Sequence, residues 1–204
     1  GIFYEFIPLD QYYKGITNSL PLEGVETGIN YVMVISTIAG LWRFIVGDTV
    51  RFTSTRPYKI VITGRTKQFI NVFGEEVMVE NTDRAIELTS KRLGVMVKEY
   101  TVAPIFMELG SNGAHQWLIE FKGQVPDAAD FAFWLDQNLR ILNSDYDAKR
   151  YQDMALRPLE LIVIPSGGFE AWMKQRGKYG GQHKVPRLSN DRQYVDEMLK
   201  FASC

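Results

Sequence analysis

The apolar residues change their period at Gly64-Arg65, and this switch limits the fold more than any other feature. Upstream, residues 28–37, 41–46, 49–53 and 59–63 carry the β-branched and aromatic side chains of strands. Gly40 interrupts the series, and Gly47-Asp48 is expected to turn the chain. Downstream, residues 69–73 alternate and stop at Gly74, and residues 79–93 have helical spacing closed by Gly94. Strands near 97–109 and 115–122 follow, joined by a turn at 110–113. A helix near 127–142 starts at Asp127, which suits a cap, and residues 159–164 form a strand stopped by Pro165-Ser166-Gly167-Gly168. Residues 169–175 are helical, and Asn190 is expected to cap a last helix to about Phe201. Residues 67–165 thus run β-α-β-β-α-β, the split unit of ferredoxin-like sheets. The expected fold is α+β, with a β-rich lobe over 1–63 and a ferredoxin-like domain with extra C-terminal helices over 64–204.

Composition narrows the function. A chain of 204 residues, 46% hydrophobic, can bury one sizeable core or two small ones. A net charge of -1 offers no electrostatic footprint for nucleic acid or a membrane surface, so neither is an expected partner. No apolar run approaches the ~20 residues of a membrane helix. The single cysteine, Cys204, leaves no internal disulfide, which fits a reducing, cytoplasmic setting. The chain opens on Gly1 and enters the strand-like run IFYEFIPL at once, so it is expected to be cut from a longer protein.

Three stretches could carry chemistry. In GLWRFIVGD, the carboxylate of Asp48 could accept both hydroxyls of a ribose diol. In GRTKQFINVFGEE, Arg65 offers a planar fork to a phosphate or ribose, and Lys67 stands at the lobe boundary. In YGGQHKVPRL, two glycines and a proline keep Lys184 out of regular structure, where its charge could be delivered to a reacting phosphate. Each has an ordinary structural reading as well: a turn, an exposed basic edge and a solvated loop. The glycine pair lacks P-loop spacing, Ser166-Gly167-Gly168 lacks that of a nucleophile elbow, and His115 and His183 show no metal-ligand spacing. Trp42, Trp117, Trp134 and Trp172 are expected to pack cores.

The order and spacing of the three stretches resemble the adenylate-forming enzymes. Their wording resembles the auxin-responsive acyl-acid amido synthetases of plants and their bacterial homologues. The resemblance implies ATP-dependent activation of a carboxylic acid as an acyl-adenylate, followed by attack of an amino acid to give an amide and AMP. It implies that Asp48 holds the ribose hydroxyls and that Arg65 contacts the nucleotide. It further implies that Lys67 is the hinge between a large domain and a mobile C-terminal domain. Lys184 then neutralises the α-phosphate and the polarised carboxylate, and leaves before the second half-reaction.

Glu75-Glu76 stands where many acyl-CoA synthetases place an arginine, so no role carries over there. The family's Ser/Thr-rich phosphate loop and its tyrosine-serine-glutamate motif, which helps hold Mg²⁺, have no counterpart in the chain. The expected protein is therefore the end of the large domain plus the C-terminal domain, inactive alone. Two rivals remain: a non-catalytic ferredoxin-like module that binds a small ligand or protein, and an acyl-CoA-type synthetase.

Overall fold

The computed structural model describes residues 1–66, 69–108, 111–153, 155–178 and 184–202. The chain forms two compact units, Gly1–Lys67 and Gln68–Cys204.

The first unit is an antiparallel sheet in the order β1-β2-β3-β4, from β1 (Ile2–Pro8), β2 (Asn30–Thr37), β3 (Phe44–Thr55) and β4 (Tyr58–Arg65). A short helix α1 (Leu9–Tyr13) follows β1. One face packs Phe6, Tyr31, Val50 and Phe52 into a small core, with the three rings edge to face. The expected turn at Gly47-Asp48 does not occur, because β3 runs straight through it. Val32 pairs with Thr49 while Val34 pairs with Ile45, so β3 carries extra residues there as a bulge. Gly47 at φ +89 supplies the left-handed backbone that the bulge needs, so the glycine serves an irregularity within a strand.

The second unit begins with a two-stranded ladder of β5 (Phe69–Ile70) and β6 (Val77–Met78), then helix α2 (Val79–Leu93). Gly94 ends α2 in the left-handed conformation. Strands β7 (Met96–Ile105) and β8 (Ala114–Lys122) pair antiparallel, and β8 pairs parallel with β9 (Glu160–Ile164). Between β8 and β9 lie α3 (Ala128–Leu142) and α4 (Ser144–Arg150), and α5 (Gly168–Gln175) and α6 (Gln193–Leu199) complete the unit. Asp127 caps α3 as expected, its carboxylate accepting from the Asp130 N–H at 2.8 Å.

Strand β8 is buried on both faces. Trp117, Ile119 and Phe121 point into one core with α2 and α3, while Leu118 points into a second with Phe169, Trp172, Val195 and Met198 of α5 and α6. Helices on both sides of a three-stranded sheet give three layers. The α+β class is as expected, and the β-α-β-β-α-β order is present. The sheet differs from the ferredoxin-like arrangement in one respect: the first strand is two residues long and pairs with β6 instead of joining β7, β8 and β9. The free edge of β7 is instead met by the C-terminal segment, with Val102 bridged to Leu188.

Trp117 and Trp172 fill the two cores, but Trp42 is 81% exposed, contrary to the expectation that it packs inside. Asn190 does not cap α6. Its side chain accepts from the Asn71 N–H at 2.9 Å and donates to the Phe69 carbonyl at 3.2 Å, tying the C-terminal segment to β5. Helix α4 was not expected, and it supplies the buried pair of Arg150 with Asp136, at 2.9 and 3.0 Å, which also takes the Tyr146 hydroxyl. No helix among the described residues is long and apolar enough to cross a membrane.

Asp136→Ala removes the carboxylate that faces the buried Arg150 guanidinium and should cost about 3–5 kcal/mol in urea unfolding. A loss below about 1 kcal/mol would mean that water reaches the pair. Burial first, then the neighbouring Asp136 and Asp83 respectively, hold the Tyr146 and Tyr100 phenols well above the usual tyrosine range. A raised folded-state pKa keeps the native phenol neutral while the unfolded one ionises above about pH 10. This stability is therefore present below about pH 10 and lost as pH rises beyond it. Phenolate absorbance should show two of the ten tyrosines ionising only with alkaline unfolding.

Candidate functional site

Asp48 and Arg65, taken from separate stretches of sequence, are direct partners across β3 and β4. The ladder continues on both sides of them. Thr66 N–H donates to the Gly47 carbonyl at 2.9 Å, and the buried hydroxyls of Thr49 and Thr63 meet at 3.0 Å. Asp48 pairs with Arg65 just before a register shift of the β3–β4 ladder at Thr49/Val50, and Arg65 Nε lies 3.3 Å from Asp48 Oδ1. The side chains are 68% and 30% exposed, so this pair adds about 0–1 kcal/mol at most. Asp48 Oδ2 and most of the Arg65 fork have no partner among the described residues. A carboxylate and a guanidinium held side by side with spare capacity suit a ribose diol and a phosphate.

Lys184 belongs to the second unit and is exposed. The residues after it are firmly seated along β7. Val102 N–H donates to the Arg187 carbonyl at 2.8 Å, Ser189 N–H donates to the Val102 carbonyl at 3.1 Å, and Thr101 Oγ1 donates to the Pro186 carbonyl at 2.7 Å. Val185 and Leu188 are buried, and the Arg187 guanidinium lies 4.2 Å from the Tyr100 ring centre and pairs with Glu99. Burial, opposed by this arginine, leaves the Glu99 carboxyl raised above its usual range. Lys184 is thus an exposed cation, with no ion-pair partner among the described residues, at the first step of an anchored segment. Lys67, the expected hinge, and residues 179–183 of the glycine loop lie outside the described residues.

Sequence reasoning passed over two buried carboxylates. Glu75 is fully buried. It takes the Phe73 N–H at 2.7 Å and meets His115 Nε2 at 2.8 Å, so His115 is an interior partner of this turn. The Phe73 ring in turn lies where any side chain at Gly113 would sit. Glu120 accepts from the N–H groups of Gly167 and Phe169, at 2.8 and 3.2 Å, at the start of α5, and from Lys98 Nζ at 2.6 Å. The glycine pair after Pro165 marks that helix start; the acid that binds it is 47 residues away and leaves no local signal. Among the described residues no three His, Cys, Asp or Glu side chains converge as a metal would require.

Comparison with known proteins matches residues 1–65 to the GH3 family central domain and residues 80–193 to the GH3 family C-terminal domain. The chain belongs to the GH3 family. An indole-3-acetic acid-amido synthetase GH3.8 from Oryza sativa subsp. indica is 30% identical over 199 residues, 91% of this chain and 33% of that protein. The chain spans about a third of the length of such curated relatives. In solved structures, the GH3.15 acyl acid amido synthetase superposes with a TM-score of 0.72 at 20% identity, over 98% of this chain and 36% of that one. A 2-hydroxyisobutyryl-CoA ligase in the postadenylation state gives 0.53 at 12% identity, over 99% of this chain and 38% of that one. Both likenesses concern the fold alone.

Arg187→Ala removes the stack on Tyr100 and the pair with Glu99, together about 1 kcal/mol. Amide exchange at Val102 and Ser189 should quicken roughly fivefold. Unchanged exchange would mean that the apolar anchors alone hold the segment.

Proposed function

We propose that this chain is the C-terminal part of an ATP-dependent acyl-acid amido synthetase. In the first half-reaction a carboxylate oxygen attacks the α-phosphorus of ATP and pyrophosphate leaves. In the second, the amine of an amino acid attacks the acyl carbon, loses a proton and expels AMP. The observation that carries this reading is the Asp48–Arg65 pair. It contributes little stability, it retains free acceptor and donor capacity among the described residues, and it sits beside a bulge in β3.

Asp48 is assigned to the ribose hydroxyls and Arg65 to the phosphate side of the nucleotide. Lys184, exposed on an anchored segment, is assigned to the charge that develops on the α-phosphate and carboxylate. Lys67 is assigned to the hinge that lets Lys184 arrive for the first half-reaction and leave before the second. The donor set suits ATP. The Mg²⁺ that accompanies ATP is assigned no ligand here, since no cluster for it exists among the described residues.

The test uses the complete protein that contains this chain. Lys184→Ala should lower acid-dependent ATP–pyrophosphate exchange by about 10²–10³, the cost of losing one such electrostatic contact. Amide formation from a supplied acyl-adenylate should stay near its original rate. Exchange that is insensitive to Lys184 would remove the assignment, and no exchange by the unaltered complete protein would favour a non-catalytic binding module.

A further inference from the structure

One cleft in the first unit takes no part in the nucleotide assignment. It has a volume of about 790 Å³, within the range of small-molecule sites. Its floor holds opposite charges. Glu5 of β1 is 16% exposed at the side chain, and Arg43, just before β3, is 48% exposed. Arg43 Nε lies 3.4 Å from Glu5 Oε2, longer than a well-formed charge-assisted hydrogen bond. Ser19 joins them, donating to Glu5 Oε1 at 2.6 Å and accepting from Arg43 Nη2 at 3.1 Å. The Nη1 edge of Arg43 has no partner among the described residues. Phe3 and Trp42, both largely exposed, flank the charges.

The backbone at Arg43 points the same way. Its φ of +45 is uncommon for a side chain of this kind, and such conformations cost about 1–3 kcal/mol. The Ser36 hydroxyl holds it there by accepting from the Arg43 N–H at 3.0 Å. Strain at an exposed arginine that adds little stability suggests that the orientation of its fork is what matters.

We propose that this cleft binds the charged head group of a free amino acid. The α-carboxylate takes the open edge of Arg43, the α-ammonium takes Glu5, and the side chain lies between Phe3 and Trp42. A loose, solvated ion pair is opened at little cost, and a zwitterion replaces it with two. A plain anion would leave Glu5 facing the bound negative charge, and a plain cation would do the same to Arg43. The cleft therefore selects a ligand carrying both charges. Arg43 immediately precedes β3 and Asp48 follows it by five residues within that strand, so the amino acid would lie at the approach to the strand that carries the nucleotide contact. This identification of the ligand as the acceptor substrate rests on the amido-synthetase reading.

The experiment titrates the complete protein that contains this chain, without ATP, with L-glutamate, L-leucine and L-phenylalanine and with the N-acetyl and carboxamide forms of each. Binding is read by calorimetry. At least one free amino acid should saturate the chain, and its two derivatives should bind at least tenfold more weakly. Glu5→Gln should weaken the free amino acid about tenfold and abolish discrimination against the N-acetyl form. Failure of every amino acid to bind would overturn the proposal. Equal binding of the N-acetyl form would also overturn it and reduce the cleft to an anion site. The comparison of derivatives on the unaltered chain stands even if the variant does not fold. Since no ATP is present, a negative result leaves the adenylation reading intact, and loss of that reading leaves the binding result intact.

Discussion

The second unit is arranged around one strand that has no solvent side. Strand β8 is buried along all but its last residue, so each successive side chain must find a core on alternate faces. This requires helices on both sides of the sheet, and α2 and α3 supply one layer while α5 and α6 supply the other. It also explains the buried polar groups. His115 and Glu120 lie on this strand, and each is matched by a partner from a flanking segment: Glu75 for the first, the start of α5 for the second. The C-terminal segment that carries Lys184 completes the arrangement by closing the free edge of β7 through Val102.

The first unit depends on a smaller device. A bulge at Gly47 changes the register between β2 and β3, and Asp48 then faces Arg65 across the next ladder. Arg43, on the same strand's approach, is held in a left-handed conformation by Ser36. Two irregularities thus lie within six residues, beside two charged side chains that contribute little to stability.

Elements with a strong local signal were legible in the sequence. Helix α2 spans the residues that the helical spacing marked, and Asp127 caps α3, because periodicity and capping are short-range effects. Asp48 and Arg65 were legible as separate candidates, but their pairing required the ladder. Gly47-Asp48 misled because a tight turn and a bulge use the same glycine chemistry. Helix α4 escaped because its seven residues, mostly polar, carry no apolar stripe, and it is held by Arg150 and Tyr146 against Asp136. Asn190 was read as a cap because its side chain suits one, whereas its partners at Phe69 and Asn71 are more than a hundred residues away. The Glu75–His115 contact spans 40 residues, so neither local spacing nor composition could show it.

The central claim concerns a reaction, and the most direct test identifies its product. The complete protein would be incubated with ATP and a panel of carboxylic acids, together with amino acids in one series and coenzyme A in another, and the products identified by mass. The account predicts an N-acyl amino acid formed together with AMP. A thioester formed with coenzyme A in place of the amide, or no consumption of ATP with any pair, would contradict it.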